Sequence, residues 1–256
     1  ATSILEASLD VESMFETSTK VFILEVMGRH AGWMAASSAL AKTPKRDAPH
    51  IILLPEIIFN QKKFLSKVKD VIAKKGYCVI VASEGIKNSK GNFLSESDTK
   101  DAFGHAQLGG VAPYLSSLVS KKLKLKNHWA VSDYLQRSAR HIASNTDLLH
   151  AEAVGAHAIK YAISGMNGVM PIIVRGKGKK YTWKIEPAPL SKIANLEKKL
   201  PKSFITKDGL NVNKKAIDYL MPLISGETFP DFQNGIPKIE ELKLVKVKKR
   251  LSKWKP

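Results

Sequence analysis

Cysteine is nearly absent from this 256-residue chain: Cys78 stands alone, so no internal disulfide can form, and no CxxC or Cys/His finger spacing exists. Arginine is scarce as well, six against 35 Lys. Lys lacks the planar fork that reads base edges bidentately, which disfavours a sequence-specific DNA reader. Acid is short, 23 Asp and Glu against 41 basic residues, and the formal net charge is +18. That excess points to a polyanionic partner (nucleic acid, anionic membrane or phosphorylated metabolite) without choosing among them. No apolar run approaches the ~18 residues needed to span a bilayer, and no signal peptide opens the chain. The reading is a cytosolic protein with no membrane partner. What is present is ordinary: 44% hydrophobic and 25% charged residues exclude wholesale disorder.

The hydrophobic pattern alternates between two periods. Residues 1–16 have helical spacing, and Val21 to Val26 is a short β-branched run that reads as a strand. An Ala-rich helix over His30 to Lys42 follows. A strand at Ile51 to Leu54, a helix over 61–75 and a strand at Tyr77 to Ala82 come next. A polar loop from Lys87 to Gly104 leads to a helix near 111–122, a weaker strand at His128 to Ser132 and a helix from Asp147 to Ser164. Val169 to Val174 and Tyr181 to Glu186 read as hairpin strands around Gly176–Lys180. Pro187 and Pro189 then break the pattern, with helices expected near 190–199 and 213–224. The fold class expected is α/β, a Rossmann-like parallel sheet with helices on both faces and a C-terminal helical extension. The expected division is 1–186 and 187–256.

In such sheets ligands bind beyond the carboxyl ends of the strands. Those ends carry Gly28-Arg29, Glu56, Ser83-Glu84-Gly85 and Gln136-Arg137. Guanidiniums suit a phosphate and carboxylates suit hydroxyl donors, so the set fits one small polar anion. Gly28 lets backbone approach the ligand, and the next helix is expected to aim its N-terminus at an anion. Bland readings stand beside these: any α/β turn holds a Gly and an Arg, Glu56 suits a solvated helix start, and 136–141 suits a solvated basic loop. His150 and His157 share a helix face, but no third ligand accompanies them, so no metal site is read. Cys78 reads as core packing. Gly176–Lys180 lacks the GxxxxGK[ST] frame of a phosphate loop. Residues 243–256 hold seven Lys or Arg and no acid. They read as a solvated tail, with RNA or membrane contact through Trp254 as the alternative.

The stretch VFILEVMGRHAGW (21–33) resembles the strand–turn–helix of the phosphofructokinase family, whose MGR turn contacts fructose 6-phosphate. Pro55-Glu56 resembles a further substrate contact, and Tyr134, Leu135, Gln136 and Arg137 resemble the later substrate loop. Together with DAFGHAQLGG (101–110), ISGMNGVMPIIVRG (163–176) and EPAPLSKIANLEKKLPKSFIT (186–206), they are similar to the diphosphate-dependent subgroup across essentially the whole chain. The resemblance implies substrate contacts at Lys20, Met27, Gly28, Arg29, Glu56 and 134–137. It implies Arg29 for transition-state stabilisation and Arg137 for the phosphate. Lys20 would reach a neighbouring subunit's substrate in a homo-oligomer with shared sites, while His128 stands where many members carry Arg. The phosphoryl donor implied is diphosphate, with Mg2+ held mainly by diphosphate and by an upstream part. The family's GGD and PKTIDND segments, the latter with the catalytic Asp, occur nowhere here. The expectation is therefore the C-terminal part of a longer phosphotransferase, inactive alone. Alternatives are an ATP-dependent member, a non-catalytic phosphofructokinase-like subunit and, remotely, a basic nucleic-acid-binding module.

Overall fold

The computed structural model describes every residue except 95, 101–105, 109, 179, 247 and 251–256. Most of the 101–110 motif and the end of the basic tail, with Trp254, therefore lie outside the described residues. The chain begins with α1 (Thr2–Met14), β1 (Val21–Val26) and α2 (Trp33–Ser37), which tightens into a 3-10 turn at Ser38–Ala41. Then come β2 (Ile51–Leu53), α3 (Gln61–Lys75) and β3 (Cys78–Ser83). A small antiparallel pair, β4 (Glu96–Lys100) and β5 (Ala106–Leu108), precedes α4 (Val111–Leu123) and β6 (Asn127–Val131). After α5 (Leu135–Ser138) and α6 (Asn145–Ile163), β7 (Val169–Arg175) and β8 (Trp183–Pro189) form a hairpin. The remainder holds α7 (Lys214–Leu220) and a minimal hairpin of β9 (Phe232–Gln233) and β10 (Ile236–Pro237).

The central sheet is parallel in the order β2-β3-β1-β6. β2 and β3 are buried at every position, which is why their sequences are continuous apolar runs. Alternate β1 residues serve opposite layers. Val21 and Ile23 pack with Phe64 and Val68 of α3 and with Leu115 and Val119 of α4. Val26, with Val79 and Val81 of β3, joins Ile4 of α1 and Ala35 and Ala36 of α2 on the other face. Each fully buried aliphatic or Phe side chain contributes about 1.5–3 kcal/mol. Helix ends follow local chemistry: the Asn60 side chain accepts the Lys63 N–H to start α3, and Gly76 at φ 82 ends it.

Parallel connectivity also sorts charge. Helices that follow parallel strands all end near the amino ends of the next strands. There Lys74 and Lys75 close α3, Lys121 and Lys122 close α4, and Lys20 precedes β1. Cations there complement the helix dipoles. These five lysines lie at the end of the sheet opposite the carboxyl ends of the strands.

β7 pairs antiparallel with β8, the hairpin expected around Gly176–Lys180, and packs on α6 outside the parallel sheet. Three expectations need correction. The helix expected over 30–42 is a five-residue α2 and a 3-10 turn. Pro187 and Pro189 do not end β8, since Pro187 lies opposite Pro171 and a two-stranded hairpin consists of edges, where a missing N–H is tolerated. The helix expected over 190–199 is one 3-10 turn, Leu190–Lys192. Residues beyond 187 return to the core: Leu200, Ile205, Leu210, Val212, Ala216 and Leu220 are buried.

Candidate functional site

The register aligns three strand ends. Val26 of β1 faces Ser83 of β3, and Glu25 faces Val131 of β6. Met27, Glu84 and Ser132 therefore emerge side by side. The turn at 27–29 is held from both flanks. Gly28 donates its N–H to Glu84 Oε1 at 3.2 Å, and the Ser83 hydroxyl donates to the Gly28 carbonyl at 2.5 Å. Met27 donates its N–H to Gln136 Oε1 at 3.3 Å. Gly28 has φ 144, and a Cβ there would stand 2.7 Å from Ser83 Oγ. Only glycine passes this point without strain.

On the third strand end, α5 presents Tyr134 and Leu135, which are 61% and 73% exposed. Arg137 lies over the Tyr134 ring, 4.4 Å from its centroid, so its fork is partly pre-organised. Gln136 Nε2 is buried with no hydrogen-bond partner among the described residues. A buried donor in that state fits a ligand acceptor. The structure thus gathers Met27, Gly28, Arg29, Gln136 and Arg137. Lys20 is not gathered within one copy: it precedes β1 at the opposite end, and its Nζ donates to the Phe15 carbonyl at 3.0 Å.

Glu56 also serves the fold. Its Oε1 accepts the Gly32 N–H at 2.9 Å and the Leu200 N–H at 2.8 Å. Gly32 is the N-cap of α2. The anion at that helix start is thus the protein's own carboxylate, which corrects the expectation that α2 aims its N-terminus at a ligand. Glu56 Oε2 is buried and has no hydrogen-bond partner among the described residues.

Sequence reasoning missed a strap. Residues 197–200 cross the turn, with Glu197 Oε1 2.5 Å from His30 Nδ1 and the Trp33 indole donating to the Lys198 carbonyl at 2.6 Å. The Leu200 contact to Glu56 completes it. His30 holds the Glu197 carboxyl below its ordinary range through that hydrogen bond. No local pattern announces a strap whose anchors are 144 to 167 residues away. Glu84 was visible to the strand-end rule but absent from the set implied by the resemblance.

Beneath the turn lies Glu25, 5% exposed, whose Oε2 accepts the Ala112 N–H at 2.8 Å. Burial pushes its carboxyl upward most, the Ala112 N–H opposes that, and Glu84 and Asp133 push upward again. Other singled-out residues are structural. The His150 ring packs edge-on to Trp183 and its Nε2 lies 3.1 Å from the Tyr181 hydroxyl. Arg140 donates to the Thr228 carbonyl at 2.8 Å. Cys78 is buried, and burial raises its thiol far above the reactive range. Among the described residues, no three His, Cys, Asp or Glu side chains converge on a metal position, and no helix is long and apolar enough to cross a membrane.

A parallel sheet whose first strand runs into an MGR turn, with an arginine loop beside it, is the arrangement implied by the resemblance to phosphofructokinases. The family model described as phosphofructokinase matches residues 1–162, and the chain belongs to that family. Its relatives are more particular. It is 51% identical over 255 residues to the pyrophosphate–fructose 6-phosphate 1-phosphotransferase of Halomonas elongata, covering 100% of this chain and 61% of that protein. It is 52% identical over 256 residues to the protein of the same name from Xanthomonas campestris, covering 99% and 61%. The solved pyrophosphate-dependent phosphofructokinase of Nitrosospira multiformis superposes with a TM-score of 0.87 at 49% identity, covering 99% of this chain and 60% of that one. The Marinobacter aquaeolei enzyme gives 0.85 at 50% identity, covering 98% and 59%. The chain thus spans about three-fifths of the length of these relatives.

Proposed function

We propose that this chain carries the fructose 6-phosphate half-site of a diphosphate-dependent 6-phosphofructokinase. The observation that carries the reading is the joining of three strand ends into one polar turn, with Gly28 bound to Glu84 and Met27 bound to Gln136. Arg137, stacked on Tyr134, takes the substrate's phosphate, and the unpartnered Gln136 Nε2 donates to it or to a sugar oxygen. Leu135 lines the loop between them. Glu84 uses its second oxygen to accept sugar hydroxyls. Glu56 accepts another through Oε2, which has no hydrogen-bond partner among the described residues, while its Oε1 serves two backbone N–H groups. Arg29 faces the transferred phosphoryl group and stabilises charge that grows during transfer.

In the whole reaction a bond forms between the 1-hydroxyl oxygen and a phosphorus of diphosphate. The bridging P–O bond breaks, orthophosphate departs, and the hydroxyl proton goes to a base. The resemblance gives that base to an Asp in a segment that does not occur in these 256 residues. It likewise gives Mg2+ to diphosphate and the upstream part. The reading extends to a homo-oligomer in which Lys20 serves a neighbouring copy's site. Isothermal titration of the chain with fructose 6-phosphate and with diphosphate, beside an assay for fructose 1,6-bisphosphate, tests the whole. Sugar-phosphate binding without turnover is expected. Absence of binding overturns the site, and clear turnover overturns the half-site reading.

A further inference from the structure

The N-terminus of α4 has no cap of its own. Gly110 precedes it without a side chain, and no acid stands in its first turn. The cap arrives from 87 residues upstream, as Glu25 Oε2 takes the Ala112 N–H. Gly110 takes φ 99, a conformation that L side chains rarely adopt, where α4 meets Glu25. Capping alone is a poor reason to bury a carboxylate. An Asp or Ser at the N-cap would supply about 1 kcal/mol from the surface, whereas a buried charge costs several kcal/mol unless fully satisfied. Glu84 and Asp133 lie within electrostatic reach and add to that cost.

What the buried position adds is alignment. The Glu25 carbonyl accepts the Ser132 N–H at 3.0 Å, and the next residue, Val26, accepts the Glu84 N–H at 3.0 Å. Asp133 then adopts a left-handed φ of 38, which turns the chain into Tyr134–Arg137. One residue therefore touches α4 through its side chain and the β6 exit through its backbone, two residues before Met27.

We propose that Glu25 is a positioning residue of the acceptor site: by fixing the α4 N-terminus under β1, it sets the spacing between the Met27–Arg29 turn and the Tyr134–Arg137 loop. The ligand in this proposal rests on the sugar-phosphate reading; the geometry does not. Hydrogen exchange at the Met27, Gly28 and 132–137 amides reads the geometry, and titration with fructose 6-phosphate reads the ligand. Both are measured well below the melting temperature for the native chain, Glu25→Ala, Glu25→Gln and Val119→Ala. The last thins the α4 core away from the site and serves as a stability control.

Glu25→Ala is expected to speed exchange at those amides and to weaken binding about tenfold, the equivalent of one charge-assisted hydrogen bond. Glu25→Gln, which keeps an acceptor for Ala112, restores both to near native values. Val119→Ala lowers the melting temperature and moves neither. If Glu25→Ala lowers the melting temperature but leaves those amides protected, Glu25 is only a cap and the proposal falls. If the amides respond while no variant binds fructose 6-phosphate, the ligand reading falls and the positioning role stands. Should Glu25→Ala not fold, Glu25→Met, similar in shape but without the acceptor, takes its place against Glu25→Gln.

Discussion

The backbone N–H of Gly28 rests on Glu84 Oε1 at 3.2 Å, although 56 residues separate the two. The contact exists because β1 and β3 are paired in register and leave the sheet together. It converts two loop starts into one surface. Binding energy at such a surface depends on backbone placement, so the glycines around it are the sensitive positions.

Gly85 is the first of these. A Cβ on it would overlap the Arg29 carbonyl oxygen, inside any allowed contact. The obstacle is backbone, so a side chain cannot simply rotate away. Gly85→Ala is expected to push the Arg29 peptide outward, destabilise the fold by about 1–3 kcal/mol, as typical of overpacking, and abolish measurable fructose 6-phosphate binding. Native-like melting together with native-like affinity would contradict the packing of residue 85 against the turn.

The proposed site assigns the two arginines different work. With Arg137 on the phosphate of the bound sugar, Arg137→Ala is expected to weaken fructose 6-phosphate binding by about 10- to 100-fold, the range for a charged hydrogen-bonding group. With Arg29 on charge that grows only during transfer, Arg29→Ala is expected to change ground-state binding less than about threefold. Calorimetric titration of both variants decides the matter. Equal losses would remove the distinction between holding the substrate and stabilising the transfer.

Glu56 ties the strap to the start of α2. Glu56→Ala leaves the Gly32 and Leu200 N–H groups without their acceptor, at a combined cost of about 3 kcal/mol. The expected result is a lower melting temperature together with faster proteolysis within 190–200. Proteolysis that stays at the native rate while stability falls would separate the strap from Glu56.

β2 and β3 were legible in the sequence because they are buried at every position; Ile51–Leu53 has no polar residue, and Cys78–Ser83 has one only at its end, Ser83, which bonds to the Gly28 carbonyl. The bounds of α3 were legible from Asn60 and Gly76. The strand-end rule singles out Gly28-Arg29, Glu84 and Gln136-Arg137 on sequence alone, because a polar residue at the end of an apolar strand has nowhere to point but the crevice. β8 was obscured by Pro187 and Pro189, which break central strands but not two-stranded hairpins. The strap, the Glu56 contacts and the Glu25 cap were beyond reach for a common reason. Each rests on a side chain meeting a distant backbone group, the Lys198 carbonyl or the Gly32, Leu200 and Ala112 N–H, and a backbone group has no letter in the sequence.

His50 supplies a pH-dependent prediction away from the site. Its side chain is 3% exposed, and its Nδ1 accepts the Val79 N–H at 3.0 Å, which forces the ring proton onto Nε2. Asp47 Oδ1 lies 3.4 Å from Nε2. Burial lowers the imidazole pKa and outweighs the pull of Asp47, while Lys42 and Lys75 lower it further. The folded state thus disfavours a proton that the unfolded chain accepts near its ordinary value of 6.5. The stability tied to neutral His50 is present above that value and is lost as pH falls below it. His150, also lowered by burial, adds in the same direction. Melting temperature is expected to drop between about pH 7 and 5.5, before Asp47 and Asp208, both held below the usual carboxylate range, begin to titrate. His50→Asn, which keeps an acceptor near Val79, is expected to flatten that slope in part, and His50→Asn combined with His150→Gln to flatten it further. An unchanged slope in the double variant would assign the acid sensitivity to the carboxylates instead.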